Sequence, residues 1–243
     1  MNTKQAREIG SECARKLESG EIDQVLAILA PVLAQPAPFR LLDLIGGEIG
    51  SFGLAGINLL LSKIAALREE GCWVVIASAL RANLDRDLSG ALILCQRYII
   101  EADVWYGADS MAERVSGEAL VRDFNQTLAV LKAWRRSRND WVRRAVGVSV
   151  HFWAKRSQGD AGLVVEAVQL LDLLEPLYSE KEMKAVKGIG WGLKTMGRNY
   201  PNLVEAFLVR QINTNRSCRT VMLRKAKTYL PEAAKERLQE RAG

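Results

Sequence analysis

Apolar residues recur every three or four positions along most of the chain, and they seldom alternate with polar ones. One such stripe runs through Leu120, Phe124, Leu128 and Leu131. This period is typical of an α-helix that buries one face, whereas a half-buried strand would alternate at every second residue. Glycine, proline, asparagine and aspartate interrupt the pattern after about 12 to 20 residues. We therefore predict an all-α protein in which the 120–131 stripe forms one helix.

The interruptions group the predicted helices into pairs. Each pair takes roughly 30 to 45 residues, which is the spacing of HEAT-like helical arrays. The predicted architecture is an α-α superhelix, a solenoid of HEAT-like repeats, that forms a single domain over residues 1–243. The last segment, 231–243, is predicted to be a C-terminal helix that caps the array.

Two helix starts carry recognisable capping signals. Ser179 followed by Glu182 fits a capping box that begins a helix running through Trp191. Asn139 or Asp140 can cap a second helix.

That second helix would hold Arg143 and Arg144 in its first two turns. Positive side chains there oppose the helix dipole unless an anion compensates them. A phosphate bound at the exposed amides would do so. The alternative is that the arginines lie on a tryptophan or pair with Asp140.

The composition excludes several classes of protein. Hydrophobic residues make up 49% and charged residues 26% of 243 residues, with six prolines, which is typical of a globular chain. The longest uncharged runs, 24–39 and 49–62, fall short of the roughly 18 apolar residues of a membrane span. The first 18 residues are charged throughout and do not resemble a secretory signal. We expect a cytoplasmic monomer without membrane contact.

Metal, nucleotide and triad chemistry have no support in the sequence. The four cysteines lie far apart and form no C-x-x-C pair, so we expect core or surface thiols (Cys13, Cys72, Cys95 and Cys218). His151 is the one histidine and stands between apolar residues, which favours a packed or capping role over a catalytic one. No P-loop and no H-E-x-x-H sequence occurs. We expect no metal and no cofactor.

Charge is distributed unevenly along the chain. The net charge of +6 combines −5 over residues 1–121, +2 over residues 122–180 and +9 over residues 181–243. A basic part joined to an acidic part, with a pI of about 9.2, is typical of proteins that bind a polyanion through one surface. A solvated basic surface with no such partner would give the same counts.

Three stretches together resemble the DNA alkylation repair family, the HEAT-like-repeat DNA glycosylases of the AlkD type. EADVWYGADSMAERVSGEAL (101–120) carries the family's W-x-x-x-D element, AWRRSRNDWVRRAVGVSV (133–150) its tryptophan- and arginine-rich element, and KAVKGIGWGLKTMGRNYPNLVEAFL (184–208) its K-A-I-G-W signature. They follow the family's order, so 71–230 would be family-like repeats and 1–70 divergent N-terminal helices. Phe39 and Phe52 cannot be assigned to the family's N-terminal aromatic contact.

The resemblance implies an enzyme, a monofunctional DNA glycosylase that hydrolyses the N-glycosidic bond of cationic alkylated purines such as 3-methyladenine and 7-methylguanine in duplex DNA. It implies that Asp109 is the catalytic carboxylate and that Trp105 and Trp191 form an aromatic wall. Arg144 takes the place of an arginine near the lesion. Further contacts with DNA are expected from basic residues of the same elements (Arg136, Arg143, Lys187 and Lys194).

The same residues allow other interpretations. Trp105 and Trp191 could be core residues, and Asp109 could be a first-turn carboxylate that favours its own helix. Some relatives of the fold bind DNA without excising bases, so a non-catalytic DNA-binding protein is an alternative. A protein-protein scaffold that uses the concave side of the array is another.

Overall fold

The computed structural model describes residues 1–241, and every regular element in that part of the chain is a helix. In chain order they are α1 (Thr3–Glu18), α2 (Ile22–Leu33), α3 (Phe39–Gly50), α4 (Gly53–Ala66), α5 (Glu70–Arg81), α6 (Leu88–Ala102), α7 (Trp105–Met111), a π-helix (Ala112–Gly117), α8 (Glu118–Arg122), α9 (Phe124–Trp134), α10 (Asp140–Ser157), α11 (Val164–Leu174), α12 (Met183–Asn199), α13 (Pro201–Asn213), α14 (Thr220–Lys227) and α15 (Glu232–Glu240). Short 3-10 turns flank α11 at Ala161–Leu163 and Glu175–Leu177.

The predicted all-α class is confirmed. Helices α1, α3, α5, α7, α10, α12 and α14 begin 31 to 43 residues apart, within the spacing predicted for helical repeats. The chain separates into two compact units, with the division between Ser116 and Gly117. The single domain therefore stays a prediction. The predicted C-terminal helix is present as α15, and residues 242 and 243 lie outside the described part of the chain.

The first unit, residues 1–116, consists of two layers of helices. Helices α1, α3, α5 and α7 lie side by side in one layer, and α2, α4 and α6 form the other. Helix α5 packs against helices of both layers, and every residue from Gly71 to Leu80 is buried. An uninterrupted buried stretch of this kind explains why α5 lacks a polar face.

The second unit, residues 117–241 as described, repeats the arrangement. Helices α10, α12 and α14 are neighbours in one layer, and α9, α11, α13 and α15 pack behind them. Helices α10 and α12 approach to backbone contact, because a Cβ on Gly192 would lie only 2.6 Å from the carbonyl oxygen of Gly147. The glycines beside Trp191 therefore serve helix packing.

Two local predictions were wrong. The stripe from Leu120 to Leu131 is divided between α8 and α9, because the side chain of Asp123 accepts the N–H of Gln126 and caps a new helix. Helix α12 begins at Met183 without a side-chain cap, so Ser179 and Glu182 form no capping box. The carboxylate of Glu180 instead accepts the N–H groups of Lys181 and Glu182 just before the helix.

Candidate nucleic-acid interface

Trp105 and Asp109 lie one turn apart on α7, in the first unit. Asp103 adopts a left-handed conformation (φ 49°) and Val104 an extended one, so the chain reverses after α6 and α7 begins at Trp105. Residues four apart share a helix face. The indole of Trp105 is 57% exposed and Asp109 is half-buried. An indole and a carboxylate thus lie close together at the surface, and we call them the indole–carboxylate pair.

Helix α7 is held against the interior by its third residue. A Cβ on Gly107 would lie 2.5 Å from the Cβ of Ala102 and 3.4 Å from the ring of Trp73 on α5. Only glycine fits at that distance. The close packing fixes the height of α7 over the core, and with it the position of the indole–carboxylate pair.

The helix changes its hydrogen-bond register directly after α7. Residues Ala112–Gly117 form a π-helix, a rare conformation that is frequent near functional sites. Arg114 within it binds both carboxylate oxygens of Asp43 on α3, at 2.6 and 3.3 Å, and its guanidinium lies 5.7 Å from the ring centre of Phe39. Asp43 also accepts a hydrogen bond from Ser78 on α5. The π-helix is therefore tied to α3 through Asp43, and the same carboxylate links α3 to α5.

The structure argues against two of the alternative interpretations, a core role for Trp105 and a first-turn role for Asp109. Trp105 is too exposed to be a core residue. Asp109 is the fifth residue of α7, beyond the first turn where a carboxylate favours the helix dipole most.

In the second unit Asn139 is the N-cap of α10, since its side-chain oxygen accepts the N–H groups of Trp141 and Val142. This confirms the predicted start. Arg143 and Arg144 occupy the first two turns as expected.

Arg143 is engaged inside the protein. Its Nε donates to Glu180 at 2.6 Å, and its Nη1 donates to the carbonyls of Ser137 and Arg138. Burial acts to raise the pKa of Glu180, but the hydrogen bonds from Arg143 and from the backbone of Glu182 outweigh it and lower that pKa. The anion that compensates Arg143 is thus a carboxylate of the same chain.

Arg144 is 7% exposed and lies between α10 and α12. Its Nη1 donates to the carbonyl of Lys184 at 3.0 Å, and its guanidinium lies 5.8 Å from the ring centre of Trp141. The alternative in which an arginine lies on a tryptophan is confirmed for this residue. Lys184 also approaches that ring, at 4.6 Å, and pairs with Asp140 at 3.7 Å.

Trp191 lies half-buried on α12, stacked on His151 of α10. The two ring centres are 3.9 Å apart at an angle of 23°. Nδ1 of His151 lies 2.6 Å from Oγ1 of Thr195, and that hydroxyl donates to the carbonyl of Trp191 at 3.2 Å. Since the hydroxyl proton is used there, we assign the proton of the imidazole to Nδ1. His151 is a packed residue, as predicted, and it fixes the indole plane of Trp191.

Five basic side chains lie on α12 and on the two helices packed against it in the same layer, and we call them the cationic surface (Lys155, Lys187, Lys194, Arg198 and Lys225). On α12, Lys187, Lys194 and Arg198 share one face with Trp191, because their spacing of four, three and four residues follows the helical turn. Burial first, and then the charges of Lys155, Lys194 and Lys225, lower the pKa of His151 to about 4. The imidazole is therefore neutral and senses a positive potential.

The candidate residues from the sequence are distributed over both units. Trp105 and Asp109 are brought together in the first, and Trp191, Lys187 and Lys194 in the second. Arg136 is exposed in the turn that follows α9. The sequence analysis did not identify Lys155, Arg198 and Lys225. The helical spacing on α12 could have revealed Arg198, whereas the others join the surface only through packing.

None of the helices in residues 1–241 is long and apolar enough to cross a membrane. Within the same residues, no three histidine, cysteine or acidic side chains group as metal ligands would.

Comparison with known proteins assigns the chain to a family. A search of curated proteins gives no match. The sequence model of one family, described as DNA alkylation repair enzyme, matches residues 70–230, a range that covers the indole–carboxylate pair and the whole cationic surface. Because this match extends over well more than half of its residues, the chain belongs to the DNA alkylation repair enzyme family.

Proposed function

We propose that the protein is a monofunctional DNA glycosylase that releases cationic alkylated purines from duplex DNA. The observation that carries the proposal is the indole–carboxylate pair, an exposed indole one turn before a half-buried carboxylate on a helix fixed by Gly107. Membership of a DNA alkylation repair family supports alkylated DNA as the substrate.

The chemistry needs charge stabilisation more than proton transfer. A purine alkylated at N3 or N7 is positively charged, so cleavage of its bond to C1′ lets the base leave with the electron pair as a neutral molecule. The sugar becomes an oxocarbenium-like cation, water adds to C1′ and a proton is lost to solvent. A fixed carboxylate stabilises the cationic sugar and orients the water, so we assign both tasks to Asp109.

The indole of Trp105 suits a cationic base. The face of an indole attracts a cation by about 0.5 to 2 kcal/mol, and attraction fades once the base leaves as a neutral molecule. Trp191, held by His151, offers a second indole on the other unit. We assign lesion binding to Trp105 in the first unit, and in the second unit we propose Trp191 as an aromatic contact with the DNA.

The basic side chains divide into two groups in this proposal. Arg143 and Arg144 bind carboxylate and carbonyl oxygens around the junction of α10 and α12, so they hold that junction in place. Lys187, Lys194 and Arg136 are assigned to backbone phosphates, which position the duplex without reading its sequence.

The deciding experiment compares release of labelled 3-methyladenine and 7-methylguanine from methylated duplex DNA. Asp109→Asn should lower release by roughly a hundredfold or more, as expected when one preorganised charged group is removed, with duplex binding nearly unchanged. Asp23→Asn is the matched control, since it removes the same charge from an exposed ion pair with Lys63 on the same unit. Equal release by Asp109→Asn and the wild type would refute the assignment of the carboxylate.

A second function is favoured by the charge of the second unit. Residues 117–243 contain 23 basic and 13 acidic side chains, enough for duplex binding without any chemistry. A protein that binds methylated duplex in a salt-dependent manner and releases neither base would be a DNA-binding member of the family without excision activity.

A further inference from the structure

Tyr229 lies just beyond the end of α14 and carries an aromatic ring to the surface, where it is 45% exposed. Two cations of α12 lie over this ring. Nζ of Lys194 is 5.2 Å and the guanidinium carbon of Arg198 is 5.5 Å from the ring centre. Lys194 and Arg198 come from α12 and Tyr229 from the turn directly after α14, and these two helices are neighbours in one layer, so the cluster is fixed by packing.

The cluster concentrates positive charge. Lys194 and Arg198 stand one turn apart on α12, where like charges repel each other. Lys155 and Lys225 add to the same surface, and together with burial the three lysines lower the pKa of His151. Within residues 1–241, the contacts of Lys194 and Arg198 are with the Tyr229 ring and not with a carboxylate.

Another cation and ring pair of the same unit differs in its charge balance. Arg210 on α13 also lies over an aromatic ring, that of Phe207, at 5.8 Å. Its guanidinium, however, is neutralised by Asp172 at 3.0 Å and by Glu175 at 3.1 Å. The same cation and ring pairing is therefore charge-balanced on α13, and at Tyr229 it is left to attract an anion.

We propose that Lys194, Arg198 and the hydroxyl of Tyr229 form a subsite that binds a phosphodiester group of duplex DNA. The inference rests on the proposed function and extends it to Arg198 at the end of α12 and to Tyr229 after α14. Because cations cover the ring face, the hydroxyl at its edge is the group that remains to donate to a phosphate oxygen, while the two cations neutralise the charge. The ring orients both cations before DNA arrives.

The subsite is tested by the salt dependence of binding to unmodified duplex DNA. Each lost phosphate contact reduces the slope of log Kobs against log salt concentration by about 0.9. Arg198→Ala should show that reduction, and Arg210→Ala, the matched control, should leave the slope unchanged. Tyr229→Phe removes only the hydroxyl, so it should weaken binding about fivefold without a change of slope.

Several outcomes would overturn the subsite. They are a slope for Arg198→Ala equal to that of the control, an unchanged affinity for Tyr229→Phe, or the same variant effects with single-stranded RNA, which would make RNA the ligand. The proposed function fails independently. A wild type that shows these slopes but releases no base keeps the subsite and loses the glycosylase, whereas normal base release with unchanged slopes removes the subsite alone.

Discussion

The two units are built alike but differ in charge. In both, neighbouring helices of one layer approach through glycines, and in both an arginine forms an ion pair with a carboxylate that lies on another helix of that layer or in the loop before it. Residues 1–116 contain 11 basic and 15 acidic side chains, whereas residues 117–243 contain 23 and 13. Packing therefore sets the framework in each unit, and surface charge separates a unit that offers a carboxylate from one that offers cations.

The largest expected effect concerns the feature that both units share. Arg114→Ala and Arg143→Ala each break a mostly buried ion pair, with Asp43 and with Glu180, and leave a carboxylate without its cation. Each should lower the free energy of unfolding by about 3 kcal/mol, measured by urea denaturation. Arg136→Ala, at an exposed turn, should change it by less than about 0.5 kcal/mol. A small effect for only one of the pairs would show that the units are not stabilised alike.

The next effect belongs to the second unit alone, because it contains the one histidine of the chain. The pKa of His151 is about 4 in the folded protein against an ordinary 6.5, so the unfolded chain binds the proton first. The stability that neutral His151 contributes is complete above about pH 6.5 and is lost as the pH falls towards 4.

Unfolding of the wild type and of His151→Asn at pH 7 and pH 4.5 measures this loss. The free energy of unfolding of the wild type should exceed that of His151→Asn by on the order of 2 kcal/mol less at pH 4.5 than at pH 7. This value is reduced for the partial exposure of the ring. Glu180 is present in both proteins, so its own titration cancels. A pH-independent difference would contradict the depressed pKa of His151.

A smaller effect is expected for the indole of the first unit. Trp105→Ala should lower kcat/KM for release of 3-methyladenine about tenfold, because a cation–π contact is lost, and it should leave the salt dependence of duplex binding unchanged. Trp105→Phe retains an aromatic face and should recover part of the loss. Restoration of full activity by leucine at this position would indicate that only apolar contact matters.

The smallest effect tests the cations of the second unit. Lys187→Gln should weaken duplex binding about threefold at moderate salt and reduce the salt slope by about 0.9. Lys132→Gln removes an equal charge from α9 in the other layer of the unit and serves as the control. Equal slopes for both variants would mean that net charge, and not a located contact, governs binding.

The sequence was sufficient for the helical class and for the helical face that carries Trp105 and Asp109, because both follow from the period of 3.6 residues. It failed where a single polar side chain decided between local alternatives. Asp123 caps a new helix in the middle of an apolar stripe, and Glu180 receives the N–H groups that a capping box would have served.

The contact partners of the site residues could not be predicted from the sequence, for a different reason. Arg143 binds Glu180, and His151 stacks on Trp191, across 37 and 40 residues of sequence respectively. Neither distance follows a helical period, since both are set by how α10 lies against α12 and the loop before it. The helical spacing identified the phosphate candidates, whereas only packing showed which arginines are engaged inside the protein.

Because of the π-helix, the number of residues between Asp109 and Arg114 determines the direction in which the indole–carboxylate pair points relative to Arg114. An α-helix turns by about 100° per residue. Removal of one residue from this stretch would therefore restore ordinary α-helical register and rotate the residues before the deletion by that angle relative to those after it. With Arg114 still anchored on Asp43, the indole–carboxylate pair would point to another side of the helix although every one of its side chains was retained. Deletion of Ala112 should therefore abolish base release in a protein that still folds.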